Sequence, residues 1–265
     1  MKLSYRSAVA ALLLFGATAC ADLEVTNLNA PDAGRALSSP GDVEALVAGA
    51  FETWHDAQYQ YTGPALFLSN QSFQHTAPWA NVSMEFYGRI PRNPIVNDPA
   101  DVNYPNWTSP WGINYSAIAA VADGLRAVEN PETGVADALG PGATNRLKAF
   151  GKFVLGMAHG SLALLYDQGF IVDETTDLTV ARDPVDYHAM MDAALGYLDD
   201  AADLAGNGFG GEGDIPATWM SVPVSADQLV RLAHSQKARF AANVARTPAE
   251  RADVDWDQVI SDVDD

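Results

Sequence analysis

The sequence predicts an all-α fold of paired helices that carries one long, irregular, aromatic-rich loop. Three observations predict it. Apolar residues recur every three to four positions through most of residues 39–260, which is the spacing of one face of a helix. Start and stop signals bracket those runs. No stretch of strand length alternates convincingly between apolar and polar residues.

Ser39-Pro40-Gly41-Asp42 offers an N-cap, a proline at the first helical position and an acid at the third. Val43, Leu46, Val47, Ala50, Phe51 and Trp54 follow at helical spacing. Residues 60–110 are rich in Asn, Pro and aromatic side chains and show little sustained periodicity. A stretch of that length without its own elements is uncommon unless it has a function. Helical pattern resumes at Trp111, with Ile113, Ala117, Val121, Gly124 and Val128 on one face, and Asn130-Pro131 stops it. Leu147, Phe150, Val154, Ala158, Leu162 and Leu165 mark the next helix. That helix also contains Gly151, Gly156, Gly160 and Ala163. Each glycine costs about 1 kcal/mol of helix stability against alanine, a cost offset where a small residue lets a neighbouring helix come close. This helix is therefore expected at the centre of the fold.

Asp183-Pro184-Val185-Asp186 opens a further helix whose buried face is Tyr187, Met191, Ala194, Leu198 and Ala202, and the glycine-rich residues 206–213 close it. Ser225-Ala226-Asp227-Gln228 is a capping box, continued by Leu229, Leu232, Gln236, Phe240 and Val244. Thr247-Pro248-Ala249-Glu250 repeats the start signal, and Trp256, Val259 and Ile260 begin one more helical turn or two. Successive helix pairs joined by loops suggest a tetratricopeptide-like α-solenoid, without a strict repeat period.

The N-terminus reads as an export signal. Lys2 and Arg6 precede the apolar run Ala8–Phe15, and Gly16-Ala17-Thr18-Ala19 brings small residues up to Cys20. The run is shorter than the roughly 20 residues that span a bilayer. Cys20 is the one cysteine in the chain, so no disulfide framework or thiolate cluster is expected. Its place resembles that of a lipidated cysteine, which would tether the mature chain through acyl chains. The expected organisation is a lipoprotein signal peptide at 1–19, a tether at 20–38 and a helical domain at 39–265, cut short at its C-terminus.

With 34 acidic against 15 basic residues, the formal net charge is -19. Such a surface repels phosphate backbones and anionic headgroups, so nucleic acid is not an expected partner. It suits a neutral or a cationic ligand and does not choose between them. Gly206-Asn207-Gly208-Phe209-Gly210-Gly211 has dinucleotide-loop spacing but follows a helix rather than a strand. Asp253, Asp255, Asp257 and Asp264 imitate a calcium loop without its glycine or its final glutamate, and acids in the first turn of a helix explain them more simply. The five histidines form no zinc motif, and no serine nucleophile motif is present. No enzyme activity and no cofactor are expected.

One region stands out, residues 71–111. There Trp79, Tyr87, Tyr104, Trp107 and Trp111 lie among Asn81, Asn103 and Asn106. Flat rings beside amide groups suit a sugar or another amphipathic small molecule. Trp79, Asn81, Tyr87, Trp107 and Trp111 are the candidate ligand-binding residues. The competing explanation is that these rings are loop anchors packed on the helices.

The helical segments together resemble the SusD/RagB family. The stretch Asp22-Leu23-Glu24-Val25-Thr26-Asn27-Leu28-Asn29-Ala30-Pro31 looks like the family's post-lipidation segment. Trp79-Ala80-Asn81 and Pro91-Arg92 fall in what resembles a family loop. Tyr115-Ser116-Ala117-Ile118, Lys148-Ala149-Phe150-Gly151-Lys152-Phe153, Tyr166-Asp167-Gln168-Gly169 and Leu232-Ala233-His234-Ser235 resemble successive family helices. The resemblance implies a lipid-anchored nutrient-binding protein on the outer-membrane surface. It further implies a SusC-like TonB-dependent transporter as partner and an oligosaccharide as ligand. Two other functions fit the same sequence: a helical-repeat scaffold for another protein, with no small-molecule site, and a surface glycan hydrolase.

Overall fold

The computed structural model describes residues 33–60, 63–76 and 84–264, and the described residues from Gly34 onward form one compact unit. It is mostly helical. The main helices are α1 (Pro40–Tyr59), α2 (Pro64–Gln71), α3 (Pro105–Glu129), α4 (Pro141–Leu165), α5 (Tyr187–Gly206), α6 (Ala226–Asn243) and α7 (Trp256–Asp264). Among the described residues no helix is long and apolar enough to cross a membrane.

Three of the expected helix starts occur where the sequence signals them. Ser39 caps α1, accepting from the Asp42 N–H at 3.4 Å. Ser225 and Gln228 close the reciprocal capping box of α6. Thr247 accepts from the Glu250 N–H and starts a helix that lasts only through Ala252. Asp255 then accepts from the Gln258 N–H and starts α7 afresh.

Elsewhere the boundaries differ from the expectation. The 60–110 region is not wholly irregular: it holds α2 and a short turn at Met84–Gly88, joined by the Asn70 amide donating to the Met84 carbonyl. Helix α3 begins at Pro105, six residues before Trp111. Pro110, which would normally break a helix, is carried in its first turns. The buried Asn114 amide donates to the Pro110 carbonyl at 2.7 Å and accepts from Gln58 of α1 at 3.2 Å. Asp183-Pro184 does not open α5. Asp186 is the N-cap instead, and Val185–Asp186 pair antiparallel with Gln168–Gly169 as a two-residue ladder.

Helix α4 is central. It packs against α1, α3, α5 and α6. Its glycines are the points of approach. A Cβ at Gly151 would stand 3.0 Å from a Leu125 methyl, and one at Gly156 would stand 2.6 Å from Leu198 Cγ. One at Gly160 would collide with the Phe240 ring. Phe150, fully buried on α4, meets Phe51 at 6.2 Å and Trp219 at 5.0 Å between ring centroids. Trp54 Nε1 donates to Ser161 Oγ at 3.0 Å, tying α1 to α4.

The segment after α4 is pinned by buried polar groups. His159 is inaccessible to solvent; its Nδ1 bonds the Leu155 carbonyl at 2.8 Å, and its Nε2 accepts from the Val172 N–H at 3.2 Å. These partners fix one neutral tautomer, with the proton on Nδ1. Burial lowers the His159 pKa from 6.5 to about 4. Arg126 donates to the carbonyls of Asp173, Glu174 and Thr176. The Asp173 carboxylate accepts from Thr175, Thr176 and Tyr197. Burial alone would raise its pKa, but these bonds outweigh it and keep the group below the usual range.

Candidate functional site

Where the first turns of α3 meet the end of α4, the surface opens into a cleft of about 590 Å³. That is within the range of small-molecule sites, roughly 300–1,000 Å³. One wall is Pro64, Phe67 and Leu68 of α2. The helix α3 supplies Asn106, Trp107, Thr108, Pro110 and Trp111. Leu165, Tyr166, Asp167 and Gln168 come from the end of α4 and the strand after it, and Ile95 and Asn97 from the irregular segment.

The rings hold one another at steep angles. Phe67 meets Trp107 edge to face at 4.4 Å, and Trp111 meets Tyr166 edge to face at 4.9 Å. Such pairs contribute about 0.5–1.5 kcal/mol each beyond area burial, so the wall is preorganised. The Tyr166 hydroxyl donates to the Trp107 carbonyl at 2.6 Å, which fastens the end of α4 to the first turn of α3. Burial holds the Tyr166 hydroxyl well above the ordinary tyrosine range, so it stays a donor. Behind it, the Tyr115 hydroxyl donates to the Phe170 carbonyl at 3.1 Å and accepts from the Phe170 N–H at 2.6 Å.

The rim at Asp167 is held from the far side. Arg246, beyond the end of α6, pairs with Asp167 at 2.5 Å. It also donates to the Ala163 and Tyr166 carbonyls at 2.9 and 2.8 Å, and its guanidinium lies 3.8 Å from the Tyr187 ring centroid. Those carbonyls belong to the last turn of α4, where the ladder has no further N–H to offer.

Two of the five candidate residues, Trp107 and Trp111, line this cleft. Tyr87 does not: it is fully buried and packs edge to face on Phe67 at 5.0 Å and Trp107 at 5.4 Å. Its ring is a support behind the wall, the anchor role that competed with ligand binding. Trp79 and Asn81 lie outside the described residues, as does Cys20. Sequence reasoning missed Phe67, Tyr166 and the Arg246–Asp167 pair. The contacts that place them span 59 residues for Tyr166 and Trp107 and 79 for Arg246 and Asp167. No local pattern carries such a pairing. Among the described residues no group of three or more His, Cys, Asp or Glu side chains is placed to hold a metal ion.

The chain matches no family model, no curated protein and no solved structure.

Proposed function

We propose that this chain is a SusD/RagB-like surface lipoprotein that captures a nutrient and passes it to a TonB-dependent barrel in the outer membrane. The nutrient is an oligosaccharide, and the protein makes and breaks no bond. The observation that carries this reading is the cleft. Its wall of preorganised rings, Phe67, Trp107, Trp111 and Tyr166, stands beside Asn97, Thr108 and Gln168. Apolar sugar faces stack on such rings, and amide and hydroxyl groups read the sugar hydroxyls.

The finer architecture belongs to the same reading. Helices α1/α3, α4/α5 and α6/α7 are three successive pairs of a tetratricopeptide-like solenoid. The packing order supports this: each helix touches the next, and the first helix of each pair also touches the first helix of the following one.

Calorimetric titration with neutral malto-, xylo- and manno-oligosaccharides tests the ligand class. At least one series should bind. Trp111→Ala should then weaken that binding by about 0.5–1.5 kcal/mol beyond lost area, in a variant whose circular dichroism shows it folded. Binding of none of the three, or full-strength binding by a folded Trp111→Ala variant, would remove the cleft from the account.

The anchor has its own test. Cys20→Ser should move the protein from the membrane pellet to the soluble fraction. Persistent detergent-dependent membrane association in that variant would rule out the lipid tether.

A second reading, a protein-binding scaffold, is favoured by one observation. Helix α7 buries Val259 and the charged Asp262 against α6, while Trp256, Ile260 and Val263 point outward at 42%, 58% and 68% exposure. An amphipathic helix usually buries its more apolar stripe. The oligosaccharide titrations separate the two readings, since a scaffold without a small-molecule site binds none of the three series.

A further inference from the structure

We propose that Arg246 determines the specificity of the cleft by cancelling the charge of Asp167, so that the cleft accepts uncharged ligands. The inference deepens the binding role given to the cleft and rests on it for its biological meaning. The charge balance it describes belongs to the cleft whether or not a sugar occupies it.

The composition leaves neutral and cationic ligands equally open, because a chain of net charge -19 favours both over anions. The cleft narrows the choice. Among its described lining residues Asp167 is the one acidic or basic side chain, and it is 92% exposed. Alone beside a wall of aromatic rings, that carboxylate would make a cation site, since ring faces and an anion attract the same charge. The Arg246 guanidinium prevents this. Its Nη1 lies 2.5 Å from the carboxylate, and its Nη2 takes up the Ala163 and Tyr166 carbonyls at the negative end of α4.

The arginine is also fixed in place. The Tyr187 ring packs on its plane, and Glu250 accepts its backbone N–H at 2.7 Å. A planar fork that meets three acceptors at once cannot be matched by a lysine. The chain has only 15 lysines and arginines, and one of them is committed to this rim. Its position after α6 makes the far end of the helical array responsible for the charge of a cleft built mainly by α2, α3 and α4.

The test needs no ligand. The chain has six tryptophans, of which Trp107 and Trp111 line the cleft, so the part of the collisional quenching by caesium, iodide and neutral acrylamide, at constant ionic strength, that is lost in a Trp107→Phe/Trp111→Phe background samples its charge. Arg246→Met should raise the caesium quenching constant by about 1.5-fold and lower the iodide constant similarly, with acrylamide unchanged. Asp167→Asn should shift both ions the opposite way. Combining the two substitutions should return them to the wild-type values, and all shifts should vanish in a Trp107→Phe/Trp111→Phe background. Should Arg246→Met not fold, the exposed Asp167→Asn carries the test alone. Unchanged ion quenching in Asp167→Asn overturns the proposal. So does a parallel rise for all three quenchers in Arg246→Met, which would mean uncovered rings rather than altered charge. Failure of every oligosaccharide to bind would count against the ligand class and leave these outcomes as they stand.

Discussion

Phe150→Ala should lower the free energy of unfolding by about 3–5 kcal/mol, the usual cost of emptying an aromatic core site. Phe150 is fully buried on α4, with Phe51 of α1 on one side and Trp219 on the other. Neither neighbour can collapse into the space without giving up a contact elsewhere. Trp219 sits under Arg146, whose guanidinium is 5.6 Å from the ring and bonds the Glu212 carbonyl at 2.7 Å. Phe51 is stacked on Phe153 at 6.4 Å. Urea titration followed by circular dichroism measures the loss. Val102→Ala is the comparison: that side chain is 88% exposed, and the change should stay within about 0.5 kcal/mol. A loss below about 1 kcal/mol for Phe150→Ala would place the core somewhere other than around α4.

Acid should weaken the fold through His159. The folded pKa, about 4, lies below the ordinary 6.5 because the ring is buried. Between those values the unfolded chain binds a proton that the folded chain refuses, so stability falls as the pH falls. The contribution is fully present above pH 6.5, and the loss is nearly complete once pH reaches about 4. Over that window it amounts to about 3 kcal/mol. The structural event is specific. Protonated Nε2 becomes a donor facing the Val172 N–H, another donor, and the segment leading to Asp173 loses its tie to α4. Denaturant titrations at pH 7, 5.5 and 4.5 should show the decline, and His159→Gln should flatten it. An equally steep decline in the glutamine variant would assign the acid sensitivity to other groups.

The fold was legible where a local signal decides it. Ser39, Ser225 and Thr247 start helices because a hydroxyl three residues before an N–H needs no distant partner. The glycines of α4 announced close packing because only a close neighbour offsets their cost. Pro110 misled. A proline usually marks a boundary, and the Asn114 side chain that helps accommodate it is tied to Gln58, 56 residues back along the chain. The strand pair at Gln168–Gly169 and Val185–Asp186 was invisible because two residues carry no periodicity. The candidate site was half legible. Trp107 and Trp111 could be grouped as near neighbours in sequence, although their shared helix emerged only in the structure, and composition alone cannot separate Tyr87 from them. All three are rings in an Asn-rich stretch, and only the fold puts Tyr87 behind Phe67.

The close approach at Gly160 and Gly156 also constrains how this chain can change over time. Position 160 has no volume to gain while Phe240 occupies its space. Position 156 is closed twice, by Leu198 and by the Ala194 carbonyl 3.0 Å from where a Cβ would stand. Trimming Phe240 alone leaves a void, and enlarging Gly160 alone forces a clash. Positions 160 and 240 therefore behave as a single inherited unit of fixed total volume and should covary in descendants of this chain. Position 156 should stay glycine whatever stands at 198, because a trimmed side chain does not move the helix backbone beside it.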